Sequence, residues 1–157
     1  MISNLNPTMT LGAISDQPPC EKGWKKLLAA LGYASGNFDR QRVVSLGDVA
    51  TANDAAGAMR CIRALDWGKI EVRRAVIAGA VLPAIKRASK YTTDKRVHDA
   101  IAQLEKWCAG DDDEVDLNVA AYAADAAAAD AAYAVERKQQ RLDIIAAFPP
   151  VALAVQP

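Results

Sequence analysis

Four arginines, Arg60, Arg63, Arg73 and Arg74, stand in two close pairs on either side of an Asp66-Trp67-Gly68 break. If the helices flanking that break pack side by side, the four guanidinium groups converge into a basic patch suited to an acidic partner surface. Arg137, Lys138 and Arg141 make a second basic turn further on. Tyr122 and Tyr133 are eleven residues apart, close to three helical turns, so they share a face, with Asp125 and Asp130 between them. Tyrosine brings a large contact area with a polar tip, and such a face suits protein recognition. Tyr122, Asp125, Asp130, Tyr133, Arg60, Arg63, Arg73 and Arg74 are therefore the candidate binding residues. The structural alternatives are solvated helix faces laced with local ion pairs for the arginines, and core tyrosines whose hydroxyls reach solvent.

Catalytic patterns are sparse. His98 is the one histidine in the sequence, which excludes a His-rich metal site and a two-histidine mechanism. It falls on the polar side of its helix and reads as a surface residue. Cys20, Cys61 and Cys108 are scattered and odd in number, as expected of reduced thiols in a cytosol, and they read as small buried hydrophobes. The acidic run Asp111-Asp112-Asp113-Glu114, with Asp116, lacks the glycine and ligand spacing of an EF-hand and instead suits the start of a helix. Glycines occur singly, without a Walker lysine or GxGxxG, so no phosphate-binding loop is expected. The reading is of a chain that is not an enzyme and takes neither cofactor nor metal.

The elements that would position these residues are helical. Trp24, Leu27, Leu28 and Leu31 make one side of a helix from about Cys20 to Leu31, stopped by Gly32. Ser45-Leu46-Gly47-Asp48 has the pattern of a capping box and opens a short helix towards Ala52. Asn53-Asp54 begins the next, with Ala58, Ile62 and Leu65 at core spacing. From Ile70 the positions Val72, Val76, Ile77, Ala80 and Val81 are helical until Pro83, which must kink or end the helix. Thr93 is the expected N-cap of a helix over Asp94 to Ala109, whose apolar side is Val97, Ala100, Ile101, Leu104 and Cys108. A last helix is expected from about Glu114 to Phe148. Its middle, Val119 to Ala134, is mostly alanine, the residue with the highest helix propensity. Its seam is expected at Leu117, Ala121, Ala124, Ala128, Ala131, Val135, Leu142 and Ile145. At about 1.5 Å per residue such a helix is roughly 50 Å long, so it bends or packs on another chain.

With no period-two stretch, the expected fold is all-α, a single-domain helical bundle with a long alanine-rich C-terminal helix. The expected organisation is an extended N-terminal arm over residues 1–19, rich in Pro, Asn, Ser and Thr, a bundle over 20–148 and a tail over 149–157. Arm and tail are expected to pack on the domain or on a second subunit. The 157 residues, 52% of them hydrophobic, suffice for one domain with a core. Nineteen basic and nineteen acidic residues cancel, so no global field favours nucleic acid. No apolar run is long enough for a membrane span or a signal peptide. A cytoplasmic protein is expected.

An ordered set of short patterns resembles a family of bacterial and phage immunity proteins. It consists of Cys20, Gly23 and Leu28, then Ala58-x-x-Cys61-x-Arg63-Ala64-Leu65, then Arg73-Arg74 before an Ala/Val-rich helix. Asp94-x-Arg96-x-x-x-Ala100-Ile101, ending in Trp107 and Gly110 ahead of an Ala/Tyr/Asp-rich helix, completes it. The chain departs from the family pattern at Gly57-Ala58-Met59-Arg60, where an aromatic sequence is common. The resemblance implies a non-enzymatic inhibitory protein, of a kind encoded by phages and acting in the host cytoplasm. Such a protein would neutralise a toxin, nuclease or host-defence component by steric occlusion, and the resemblance brings no catalytic residue with it. The alternative is a structural or assembly protein of a phage particle or symmetric homo-oligomer, self-associating through the long helix and the terminal arms.

Overall fold

The computed structural model describes residues 5–17, 19–34, 36–111 and 133–153, with the backbone alone at 133–135. They form a mostly helical single domain with one small sheet.

The sheet is the first departure from an all-α expectation. Strand β1, Thr8–Thr10, pairs antiparallel with β2, Val43–Ser45, in the register Thr8 with Ser45, Met9 with Val44 and Thr10 with Val43. Each strand has three residues, too few for an alternating pattern to stand out. The pleat still sends Met9 and Val44 into the core together. The second departure is the N-terminal arm, expected to be extended. Thr10 accepts the Ala13 N–H through its hydroxyl and opens helix α1, Leu11–Asp16, which buries Leu11 and Ile14. Three prolines in the segment disguise this cap, yet none falls inside the helix.

Helix α2, Glu21–Ala30, runs from Cys20 to Leu31 as expected, and Gly32 follows with a left-handed φ of 84°. Helix α3, Leu46–Ala52, opens with the full capping box: Asp48 N–H bonds the Ser45 hydroxyl, and Ser45 N–H bonds the Asp48 carboxylate. Asp54 caps α4, Ala55–Cys61, which tightens into a turn over Ile62–Ala64. Helix α5, Ile70–Val76, leads into a widened turn at Ile77–Val81 and then α6, Leu82–Ser89. Pro83 has no N–H to give, and the chain adapts by winding an extra residue into the turn before it. Helix α7, Lys95–Ala109, is capped by Asp94 rather than Thr93 and ends at Gly110 with φ 89°. The Asp94 carboxylate takes both the Arg96 N–H and its guanidinium, a charge-assisted bond that a threonine hydroxyl cannot match.

Of the last helix expected over Glu114 to Phe148, the described part is α8, Tyr133–Ala147; Leu117, Ala121, Ala124, Ala128 and Ala131 of the expected seam lie outside the described residues. At its C-terminal end the seam holds in part: Ile145 packs half-buried against the core, but Leu142 does not and the fully buried positions are others. Leu142 is 50% exposed, while Ile144 and Phe148 are buried completely or nearly so. An alanine tract carries little phase information, so a seam extended through it drifts from the true face. Ile144 and Phe148 join the main core with residues from β1, α1, α2, β2, α3, α4 and α5. A second cluster joins α6 and α7 through Leu82, Ile85, Val97, Ile101, Leu104 and Trp107.

Two polar devices fix α8 and the segment after it. Arg87 of α6 donates to Glu136 and Asp143 of α8, and Arg141 caps the C-terminus of α3 through the carbonyls of Ala50 and Thr51, at 2.6 and 2.8 Å. Beyond α8 the backbone turns onto Asp48. That carboxylate is fully buried and accepts from the N–H groups of Val151, Ala152 and Leu153 at 2.9–3.1 Å, besides that of Ser45. The described parts of the arm and of the tail therefore pack on the domain.

Asp48→Ala leaves several buried N–H groups without acceptors, each costing about 1–3 kcal/mol, part of which water regains at the exposed Val151. The expected loss is about 3 kcal/mol in urea unfolding. Truncation after Phe148 should cost a similar amount, and the two changes together should cost clearly less than their sum. Simple additivity would mean that the carboxylate does not hold the tail.

Candidate functional site

Helix α3 ends at Asn53, whose side chain lies between α2 and α4. A methyl group at either Gly23 or Gly57 would run into the Asn53 amide, so the absence of a side chain at those two positions makes room for it. Beside this contact lies a pocket of about 50 Å³ whose lining includes Ile14, Cys20, Trp24, Asn53, Arg60 and Cys61. That volume holds a few waters or one side chain. Leu27 and Val49 contribute to its apolar wall, and Trp24 is braced edge-on by Phe38 with ring centroids 5.1 Å apart. Arg60 is exposed and supplies the charge among the lining residues.

The pocket contains two thiols in opposite environments. Cys20 is the N-cap residue of α2 and is exposed. The Gly23 N–H, then the Lys22 N–H and the Arg60 guanidinium hold its thiol below the usual cysteine range, against a smaller opposing effect of desolvation. Cys61, the last residue of α4, is half-buried, and its burial pushes the thiol up to about 11. Cys108 sits elsewhere, on α7, where burial also raises its thiol while Arg74 opposes the shift. The expectation of three buried cysteines thus fails at Cys20, which the start of a helix brings to the surface.

The candidate arginines have different neighbours. Arg60 faces the pocket, and Arg63 is exposed on the tight turn after α4. Arg73 and Arg74 are half-buried on α5. Arg74 lies over the Trp107 ring, 5.5 Å from its centroid, a cation–π contact that ties α5 to α7. Of the second basic turn, Arg141 is committed to α3. Tyr122, Asp125 and Asp130 lie outside the described residues, as does the side chain of Tyr133, the first residue of α8. His98 is exposed, with Nε2 3.2 Å from the Thr92 carbonyl.

Sequence reasoning missed the pocket. Its signal was the trio Gly23, Asn53 and Gly57: two helical glycines leave room for an asparagine side chain from the end of a third helix. Among the described residues no three metal-ligating side chains cluster, and no helix is long and apolar enough to cross a membrane. Compared with protein-family models, curated proteins and solved structures, the chain matches none.

The lowered Cys20 thiol has a direct readout. Because the thiolate is the reactive form, alkylation of Cys20 by iodoacetamide should rise with pH through a midpoint below that of free cysteine, and Cys61 should lag until well above it. Arg60→Ala should move the Cys20 midpoint up. Equal profiles for Cys20 and Cys61, followed by peptide mass mapping, would contradict this account of the two environments.

Proposed function

We propose that the protein is a non-enzymatic binding and inhibitory protein, acting by covering a surface of another protein such as a toxin, nuclease or host-defence component. The observation that carries the reading is the pocket beside Asn53, between α2 and α4. At about 50 Å³ it suits one side chain of a partner, whereas pockets for small-molecule ligands run to about 300–1,000 Å³. Its apolar wall and exposed Arg60 rim match an anchoring side chain beside an acidic group, and Arg63 extends the basic rim along the next turn. Small anchor pockets surrounded by polar residues are characteristic of protein interfaces. The resemblance to immunity proteins points the same way, and the tyrosine face at Tyr122 and Tyr133 remains a second contact of this reading.

Self-assembly is the alternative, favoured by one observation: Leu142 on α8 is 50% exposed, and Val151 just beyond the helix is 39% exposed. Exposed hydrophobic side chains of this kind suit a contact between copies.

Light-scattering mass of the purified protein, alone and with lysate of its native host, separates the two. A monomer that gains mass only with lysate is the expected result; a discrete oligomer indifferent to lysate supports assembly. The double variant Arg60→Glu, Arg63→Glu changes two exposed residues and should fold normally. It should bind the captured partner at least about tenfold more weakly, a loss of about 1.4 kcal/mol. Undiminished binding by this variant and by Tyr122→Ala, Tyr133→Ala would overturn the proposed surface.

A further inference from the structure

We propose that Cys20 and Cys61 are a peroxide-responsive thiol pair that closes into a disulfide across the pocket between α2 and α4. The two residues line one small pocket from different elements, Cys20 as the N-cap just ahead of α2 and Cys61 as the last residue of α4. The second thiol is what separates this arrangement from an isolated surface cysteine. Their environments also divide the work. Cys20 is open to solvent and has an Arg60 guanidinium and two backbone N–H groups to stabilise a thiolate, the form that reacts with peroxides. Cys61 is shielded, and burial keeps its thiol protonated at neutral pH. It is protected from direct oxidation yet faces the same space.

The chemistry balances in two steps. The Cys20 thiolate attacks one oxygen of hydrogen peroxide and the O–O bond breaks. The departing hydroxide takes a proton to become water, and Cys20 is left as the sulfenic acid. The Cys61 sulfur then attacks the Cys20 sulfur and the S–O bond breaks. Hydroxide leaves with the Cys61 proton as a second water, and the S–S bond forms. Peroxide takes up two electrons, and the two thiols supply them. The closed bridge needs Cα atoms about 4.4–6.8 Å apart, so closing it brings Cys20, which stands just ahead of α2, to the end of α4. Cys108, on α7 beside Arg74, has no part in it. The inference does not depend on the binding reading, since it concerns the two sulfurs alone.

The test uses the full chain, reduced, treated with a few equivalents of hydrogen peroxide, alkylated with iodoacetamide and examined by intact mass and peptide mapping. The expected product is a monomer lighter by two hydrogens, with a linked Cys20–Cys61 peptide and an alkylated Cys108. Dithiothreitol should open the link and restore the two hydrogens, leaving only the alkyl group on Cys108. In Cys61→Ser the reaction should stop at a Cys20 sulfenic acid that dimedone traps, and Arg60→Ala should slow the first step severalfold. If wild-type Cys20 instead ends as a sulfinic acid, in a disulfide-linked dimer, or unchanged, with Cys61 alkylated throughout, the pair is not a switch.

Discussion

The Asp48 carboxylate is the point on which the rest of the structure depends. It sits at the third position of α3, fully buried, and no salt bridge to it is present among the described residues. Burying a carboxylate is costly unless donors replace its water. Here the Ser45 N–H and hydroxyl and the N–H groups of Val151, Ala152 and Leu153 surround it, and the N-terminal end of α3 favours negative charge. The donors come from two places about a hundred residues apart in sequence, so one side chain closes the domain on itself. The close approach has a steric condition as well. At Gly47 a methyl group would strike the Phe148 carbonyl, and only glycine lets the chain after α8 pass.

Helix α3 illustrates how much this matters. Seven residues form too short a helix to persist alone in water. Its first turn is held by the capping box and the tail, and its last carbonyls by the Arg141 guanidinium of α8. Both ends therefore borrow their stability from the end of the chain. Phe148 and Ile144 follow from the same arrangement: with the segment after α8 pinned at Asp48, α8 turns that face inwards and leaves Leu142 outside. Gly79, in the widened turn before α6, lets Ala147 and Phe148 come close on the other side.

Local signals were legible in the sequence, and long-range ones were not. Ser45 to Asp48 announced the capping box because its pattern lies within four residues, and Gly32 and Gly110 announced helix ends because only a left-handed conformation was needed there. The bundle's helices followed from apolar spacing. The sheet did not, because two three-residue strands become a sheet only by finding each other. Helix α1 was hidden by neighbouring prolines, and the face of α8 by the alanines before it. Of the proposed site, Arg60 was named from sequence, but its neighbours Cys20, Asn53 and Cys61 were not joined to it. That pocket exists only because α1, α2, α3 and α4 come together around the Asn53 side chain.

The same reasoning links the pocket to the tail. Asn53 ends α3 and separates α2 from α4, so the position of the helix end sets the spacing at the pocket. Arg141 holds that helix end, and Asp48 holds the beginning of the same helix to residues 151–153. A shift of α3 along its axis would move Asn53 between Gly23 and Gly57 and change the distance between the two cysteines it borders. Packed interiors resist such shifts because the neighbouring side chains have no room to yield. The tail is far from the pocket in sequence, yet the two share one seven-residue helix: Asp48 near its start holds the tail, and Val49 and Asn53 of the same helix line the pocket, so holding both ends of α3 fixes the wall against which Cys20, Arg60 and Cys61 stand.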